Sequence, residues 1–358
     1  MFEEFLNNQD SWLNGRGPSA EIVFSSRIRL ARNFDEYPFT SRAASQQREA
    51  ILQKISGLYP KVRRLKKSLF ISMEKVSDLD KQFLLERHLV SQEHISTLKG
   101  KGLIVSGDEN VAIMVNEEDH LRMQVIMSGF NLEGCWEILD EIDDELSKMV
   151  SFAFGASLGY LTACPTNVGT GLRASCMLHL PALVLTKRIN KILELLAKVS
   201  FTTRGLFGEG TQALGNFFQI SNQVSLGLSE RELIENLSGV VNQLVSQEID
   251  ARNTLLKKYK ISTEDNVWRA LGILRSSRLI STSEALNHLS LLSLGLDLGI
   301  IKGTCVFGSK QTRELLNSLF ILIQPAHLQK IEGKALKEEE RDYIRAAILR
   351  EKLRDGRE

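Results

Sequence analysis

Apolar and polar residues alternate with two different periods along this chain, and the change of period divides it. Ile22, Phe24, Ile28 and Leu30 fall in one phase of a two-residue repeat over 20–32, and Ser25, Arg27 and Arg29 fall in the other. That is the pattern of a strand with one buried face. Residues 110–116 predict a second strand, and 121–127 a third after a short acidic break. Helical spacing fills 46–59 and 78–95. Over 132–150 it predicts an amphipathic helix with Ile138, Ile142, Leu146 and Met149 inward and acids outward. Strand character returns over 173–185, followed by a helical stretch over 186–200. Ser229 and Glu232 form a capping box opening a long helix through about Leu256, with Leu233, Leu237, Val240, Val241 and Leu244 on its core stripe. Ser281 and Glu284 repeat the device, and a charged helix starts at Glu338. Strand periods stop near residue 250, and the polar run 257–266 is the expected boundary. The fold class expected is α+β: an antiparallel sheet flanked by helices over 1–256, then a helical C-terminal domain over 257–358.

Composition narrows the function. A chain of 358 residues, 43% hydrophobic, can bury a catalytic core of ~250 residues plus a smaller one of ~100. Its 45 basic and 44 acidic residues leave a net charge of +1. No chain-wide field then draws in nucleic acid or anionic lipid, and any anion site must be local. No apolar run approaches the ~18–20 residues that span a bilayer. The acidic start MFEEFLNNQD lacks the features of a signal peptide. A cytoplasmic protein with no membrane and no direct nucleic-acid partner is the expectation. Cys135, Cys164, Cys176 and Cys305 are spaced for neither a disulfide framework nor a zinc site. The common catalytic signatures are missing: no P-loop, no H-R-D or D-F-G, no G-x-S-x-G, no H-E-x-x-H.

What remains is the placement of arginines. Arg27 and Arg29 stand two apart in a strand, so their guanidiniums leave one face about 6.6 Å apart beside Ser25. Arg122 occupies a polar strand phase, Arg173 follows a turn-rich run from Cys164, and Arg204 precedes a glycine-rich loop containing Glu209. Arginine is permanently charged and presents a planar fork of donors, so a cluster of it suits a polyphosphate. Taken singly, each of these is an ordinary solvated side chain. Taken singly too, the acids of 116–122 read as a solvated turn, Glu209 as a surface residue, Cys164 before a proline as a buried, inert cysteine, and His88 as a core-edge histidine on its helix.

Together the segments SSRIRLAR (25–32), ERHL (86–89), NEEDHLR (116–122), CPTNVGTGLRAS (164–175), RGLFGEG (204–210) and QISNQVSLGLSE (219–230) resemble the phosphagen kinase superfamily, most closely its bacterial protein arginine kinase (McsB) branch. The resemblance implies a phosphagen kinase/glutamine synthetase-like catalytic domain. It implies that Arg27, Arg29, Arg122, Arg173 and Arg204 cradle the phosphates of ATP, that Ser25 assists, and that His88 lies near the adenine. Mg2+ would be held by phosphate oxygens and water, with no dedicated protein metal site. Glu118 and Glu209 would grip the acceptor guanidinium, one of them taking its proton, and Cys164 would help orient it.

Two departures from the metabolite kinases of the superfamily bear on the substrate. The SSRIR strand begins 24 residues in, leaving no room for their N-terminal helical domain, and the loop reads RGLFGEG where they have an RGEHTE type. Both point to an open site that accepts an arginine of a polypeptide. In the C-terminal domain, Arg341, Asp342 and Arg345 match an R-D-x-x-R-A signature that resembles an allosteric phosphoarginine pocket. The resemblance further implies a homodimer, client delivery to a Clp chaperone–protease, a heat-shock transcriptional repressor among the targets, and a zinc-binding, McsA-like activator. The alternatives are a kinase of free arginine and a catalytically silent phosphoarginine-binding adaptor.

Overall fold

The two-residue alternation at the start of the chain becomes the strand β1 (Val23–Arg32), which lies in the middle of a large sheet. The computed structural model describes residues 2–6, 11–96, 99–205, 214–307 and 312–354. After β1 come β2 (Leu69–Ser72), β3 (Gly102–Val105), β4 (Val111–Val115) and β5 (Leu121–Ser128). A small ribbon follows, made of β6 (Phe154–Gly155) and β7 (Gly159–Tyr160), and then β8 (Leu172–His179), β9 (Phe201–Arg204) and β10 (Phe217–Asn222). Eight of these pair in the order β2-β3-β4-β5-β1-β8-β10-β9, antiparallel throughout.

The flanking helices are α1 (Glu3–Leu6), α2 (Ser45–Leu58), α3 (Asp78–Glu86), α4 (Leu132–Ser147), α5 (Pro181–Leu185), α6 (Ile189–Lys198) and α7 (Glu230–Lys258). One face of the sheet, carrying Ile28, Leu30, Val125, Ala174 and Ile220, is buried with α2, α4, α6 and α7 in a single apolar core. Each fully buried aliphatic side chain there contributes about 1.5–3 kcal/mol. The predicted stripe of α7 packs inward, and Ser229 closes the capping box with Glu232 as expected.

The remaining helices are α8 (Lys260–Ser276), α9 (Thr282–Asp297), α10 (Gly303–Phe307), α11 (Thr312–Leu322), α12 (Pro325–Glu332) and α13 (Glu338–Lys352). They surround a second core containing Leu271, Leu286, Leu316 and Phe320. Trp12, Phe24, Ile126, Met177 and Phe217 join that core, so the helical region packs on one end of the sheet's other face. A third cluster seats Phe83 and Leu84 of α3 over Leu103, Val105, Ala112 and Met114. Between these two covers, the polar middle of the sheet stays open.

Two elements differ from expectation, each for a local reason. The helix expected over 78–95 stops at Glu86, because His88 takes a left-handed backbone (φ 58) and its N–H turns back to the carbonyl of Leu85 at 2.9 Å. The strand expected over 173–185 ends at His179. Pro181 then opens α5, whose free N–H groups at Ala182 and Leu183 bond the buried Glu248 carboxylate, each at 3.0 Å. The polar run 257–266 is helical on both sides of a break at Tyr259, and its polarity belongs to the outer face of α8.

Candidate active site

Register makes the site. In β1, Ser25, Arg27 and Arg29 leave the face opposite to Ile28 and Leu30. Arg173 of β8 lies directly across from Arg29, and Arg122 of β5 across from Ala31. Arg204 pairs with Gln219 of β10, which pairs in turn with Met177, the partner of Ser25. Five arginines from four strands therefore share the open face. Gly171 lets β8 begin so close to β1: it has a φ of +69°, and a Cβ there would sit 2.6 Å from the Ala31 carbonyl.

Like charges set opposite one another across strands are destabilising. Desolvation, then repulsion from Arg122, Arg173 and Arg204, brings the Arg27 guanidinium down to about 10. The same causes, with Arg27 added, push Arg29 well below its ordinary value. The Arg29 Nε is buried with no hydrogen-bond partner. An anion seated here would relieve both the repulsion and the unpaired donor.

Neighbours brace Arg173 and Arg122. The Arg173 Nη2 donates to Thr202 at 3.0 Å and to Ser221 at 3.2 Å. The Arg122 Nη1 donates to Glu117 at 2.6 Å. Burial alone would raise the Glu117 carboxyl. The charge of Arg122, with hydrogen bonds from Arg122, Ser91 and the Glu118 N–H, outweighs that and holds it at about 2.

The loop between β4 and β5 sorts its three acids. Asn116 is left-handed (φ 55), and its N–H bonds the His120 carbonyl at 2.9 Å to close the turn. Glu117 and Asp119 are thereby buried, while Glu118 is exposed. Glu118 lines a cavity of about 70 Å³ together with Arg29, Arg122, Cys164, Asn167 and Arg173. Desolvation, then Asp119 and Glu117, raises its carboxyl above the ordinary value. Asp119 accepts from the Asn33 Nδ2 at 2.6 Å and from the Ala163 N–H at 2.7 Å, fixing the backbone just before Cys164. The Cys164 Sγ lies 3.0 Å from the Thr166 hydroxyl. His120 is structural: its Nδ1 accepts from the Phe34 N–H at 3.0 Å, so its Nε2 donates to the Pro38 carbonyl at 2.9 Å.

A second cavity lies further along the same face, bounded by Trp12, Ser25, Arg27, His88, Ser175 and Gln219. The His88 ring meets Trp12 edge-on at 5.5 Å, and its carbonyl accepts from the Gln124 Nε2 at 2.7 Å. Burial, then Arg27, lowers the imidazole to about 3, so it is neutral at physiological pH. Flat neutral rings beside the arginine row make a surface suited to a heteroaromatic base.

Of the residues singled out from sequence, Ser25, Arg27, His88, Arg29, Glu118, Arg122, Cys164 and Arg173 line these two cavities, and Arg204 stands on the same sheet face. Glu209 lies outside the described residues. On α13, Arg345 is buried: its Nε donates to the Ile323 carbonyl at 2.9 Å and its Nη1 to the Ile280 carbonyl at 2.8 Å and to Asp342. Arg341 is partly exposed on the same helix. Sequence reasoning missed Glu117, which holds Arg122, and Asn33 and Asp119, which fix the backbone before Cys164; the dense polarity of NEEDHLR was the signal for Glu117 and Asp119. Among the described residues, no group of three or more His, Cys, Asp or Glu side chains is placed to hold a metal, and no helix is long and apolar enough to cross a membrane.

Residues 50–251 match the family model described as ATP:guanido phosphotransferase, C-terminal catalytic domain, and residues 260–358 match that of the protein-arginine kinase McsB C-terminal domain. The chain belongs to the protein-arginine kinase family. A protein-arginine kinase of Halothermothrix orenii is 46% identical over 97% of this chain and 97% of its own. One from Bacillus subtilis is 43% identical over 96% of this chain and 93% of its own. Among solved structures, lombricine kinase is similar with a TM-score of 0.58 and 25% identity, over 68% of this chain and 70% of that one. The duplicated taurocyamine kinase of Schistosoma mansoni, with bound transition state analog components, aligns with a TM-score of 0.59 over 81% of this chain and 47% of that one. At 22% identity it speaks for the fold alone. This protein-arginine kinase family member thus has the phosphagen kinase fold, with its arginine row on the sheet face that the fold leaves open.

Proposed function

We propose that this enzyme transfers the γ-phosphoryl group of ATP to the guanidinium of arginine side chains in proteins. One observation carries the reading: Glu118 and Cys164 line the same cavity as Arg29, Arg122 and Arg173. A polyanion cradle and a carboxylate able to hold a guanidinium are thereby side by side. Arg27, Arg29, Arg122, Arg173 and Arg204 bind the phosphates, with Ser25, His88 and Trp12 around the base. Mg2+ enters with the nucleotide, on its phosphate oxygens and water. Glu118, with Glu209 from the loop, accepts hydrogen bonds from the guanidinium and fixes a nitrogen in line with the γ-phosphorus.

As the N–P bond forms, the P–O bond to ADP breaks, ADP leaves with the electron pair, and a carboxylate takes the guanidinium proton. The arginines stabilise charge on the equatorial oxygens. Cys164 orients the acceptor and balances its charge. The regulatory reading is broader. Phosphoarginine marks clients for a Clp chaperone–protease in the cytoplasm during stress, and a heat-shock repressor is among the targets. The enzyme works as a homodimer with a zinc-binding activator, and Arg341, Asp342 and Arg345 read phosphoarginine allosterically.

Incubation with MgATP and either casein or free arginine tests the central claim. Acid-labile phosphate is expected on casein arginines. Label on free arginine alone makes the protein a metabolite kinase, and label on neither makes it a phosphoarginine-binding adaptor.

A further inference from the structure

Three consecutive residues at the end of α3 reach three different places. The Glu86 carboxylate accepts from the Ala326 N–H at 2.8 Å, the His327 N–H at 3.0 Å and the His327 Nδ1 at 2.7 Å. Arg87 pairs with Glu109, which follows β3. His88 reaches the cavity beside Ser25 and Arg27. The first of these links is unusual in its reach. Gln324, the N-cap residue of α12, makes no side-chain cap bond; a carboxylate 240 positions earlier in the chain caps that helix instead. The His327 side chain is only 1% exposed and its ring centroid lies 4.4 Å from that of Phe83, so the joint is packed as well as bonded.

The position of His88 follows directly from this joint. Its left-handed backbone ends α3 two residues after Glu86, and Gln124 and Trp12 hold it from the other side. A shift of α12 therefore displaces Glu86, and with it the turn that presents His88. We infer that Glu86 is a positioning residue that couples the C-terminal helices to the nucleotide pocket, through the chain Glu86–Arg87–His88. This rests on the reading of the cavity lined by Ser25, Arg27 and His88 as the nucleotide site.

A control is built into the same pair of helices. Asp80, nearer the start of α3, bonds Lys330 of α12 at 2.5 Å, but it lies six residues and about 9 Å along the helix from Glu86. The experiment measures nucleotide Kd and the split between KM for ATP and kcat. Glu86→Gln raises Kd and KM about five- to twentyfold, a normal size for coupling between sites, with kcat within about twofold. Lys330→Met leaves all three unchanged. His327→Phe keeps the packing on Phe83, removes the Nδ1 donor, and shifts Kd in the same direction; combined with Glu86→Gln it adds little. It also serves as the test should Glu86→Gln not fold. Equal shifts in Glu86→Gln and Lys330→Met mean general loosening and overturn the coupling. No shift in Glu86→Gln or in His327→Phe, where Arg27→Met has lost nucleotide binding, removes the coupling alone. Unchanged binding in Arg27→Met removes the pocket reading, and the coupling with it.

Discussion

Glu117→Gln isolates the electrostatic support of the arginine row. The wild-type carboxylate has a fully buried side chain and is bonded to Arg122, whose side chain is 23% exposed. It is held from an ordinary 4.5 down to about 2. A carboxyl depressed by that much contributes about 3 kcal/mol of stability at neutral pH. The sign follows from the direction: the contribution is complete above about pH 4.5 and is lost as pH falls toward about 2. Glutamine keeps the shape and one acceptor oxygen but has no charge, so Arg122 adds to the repulsion around Arg27 and Arg29 without compensation. Urea unfolding followed by tryptophan fluorescence measures the stability of both proteins across pH. The variant is expected to be less stable by about 3 kcal/mol at pH 7, with the gap shrinking to under half of that by pH 3. A gap of the same size at pH 7 and pH 3 would refute the assignment of the stabilisation to an ionised Glu117.

Two further outcomes follow from the same electrostatics. Arg29→Met removes a desolvated, repelled cation with an unpaired Nε; the nucleotide-free protein becomes about 1 kcal/mol more stable while ATP affinity collapses, which thermal melts with and without MgATP measure, and a fall in the nucleotide-free melting temperature counts against a repulsive row. Glu118→Gln lowers kcat about 10²–10⁴-fold with ATP affinity intact. Because the Glu118 carboxyl is raised, the acid limb of the wild-type pH–rate profile lies above the usual carboxylate range, the rate falling as pH drops and the carboxylate protonates; a limb at the ordinary position or an unimpaired variant removes Glu118 from proton transfer.

Much of this arrangement was readable in the chain because a strand needs only a two-residue period to assign a face. Arg27, Arg29 and Ile28 declare their sides at once, and the capping box at Ser229 and the N-cap at Ser281 mark helix starts without tertiary information. Other features depend on partners that sequence cannot place. Three adjacent acids look alike until the left-handed Asn116 turns Glu117 and Asp119 inward and leaves Glu118 out. The end of α3 at Glu86 is set by the left-handed backbone of His88, but sequence gives no sign that Glu86 itself is held by α12, 240 residues away. Arg345 reads as half of an exposed charged pair, yet its donors go to the carbonyls of Ile280 and Ile323 because α13 packs against them. β2 and β3 are too short for periodicity to separate from buried helix.

The crowding of like charge on the open sheet face also has a kinetic consequence. Whatever anion relieves the repulsion among Arg27, Arg29, Arg122, Arg173 and Arg204 is held by it, and ADP retains most of the groups that ATP offers. On the proposed reading of the row as the phosphate cradle, the charge that speeds capture of ATP also slows the departure of ADP. Added salt screens the row, hastening escape and weakening capture together, so the nucleotide Kd is expected to rise with ionic strength.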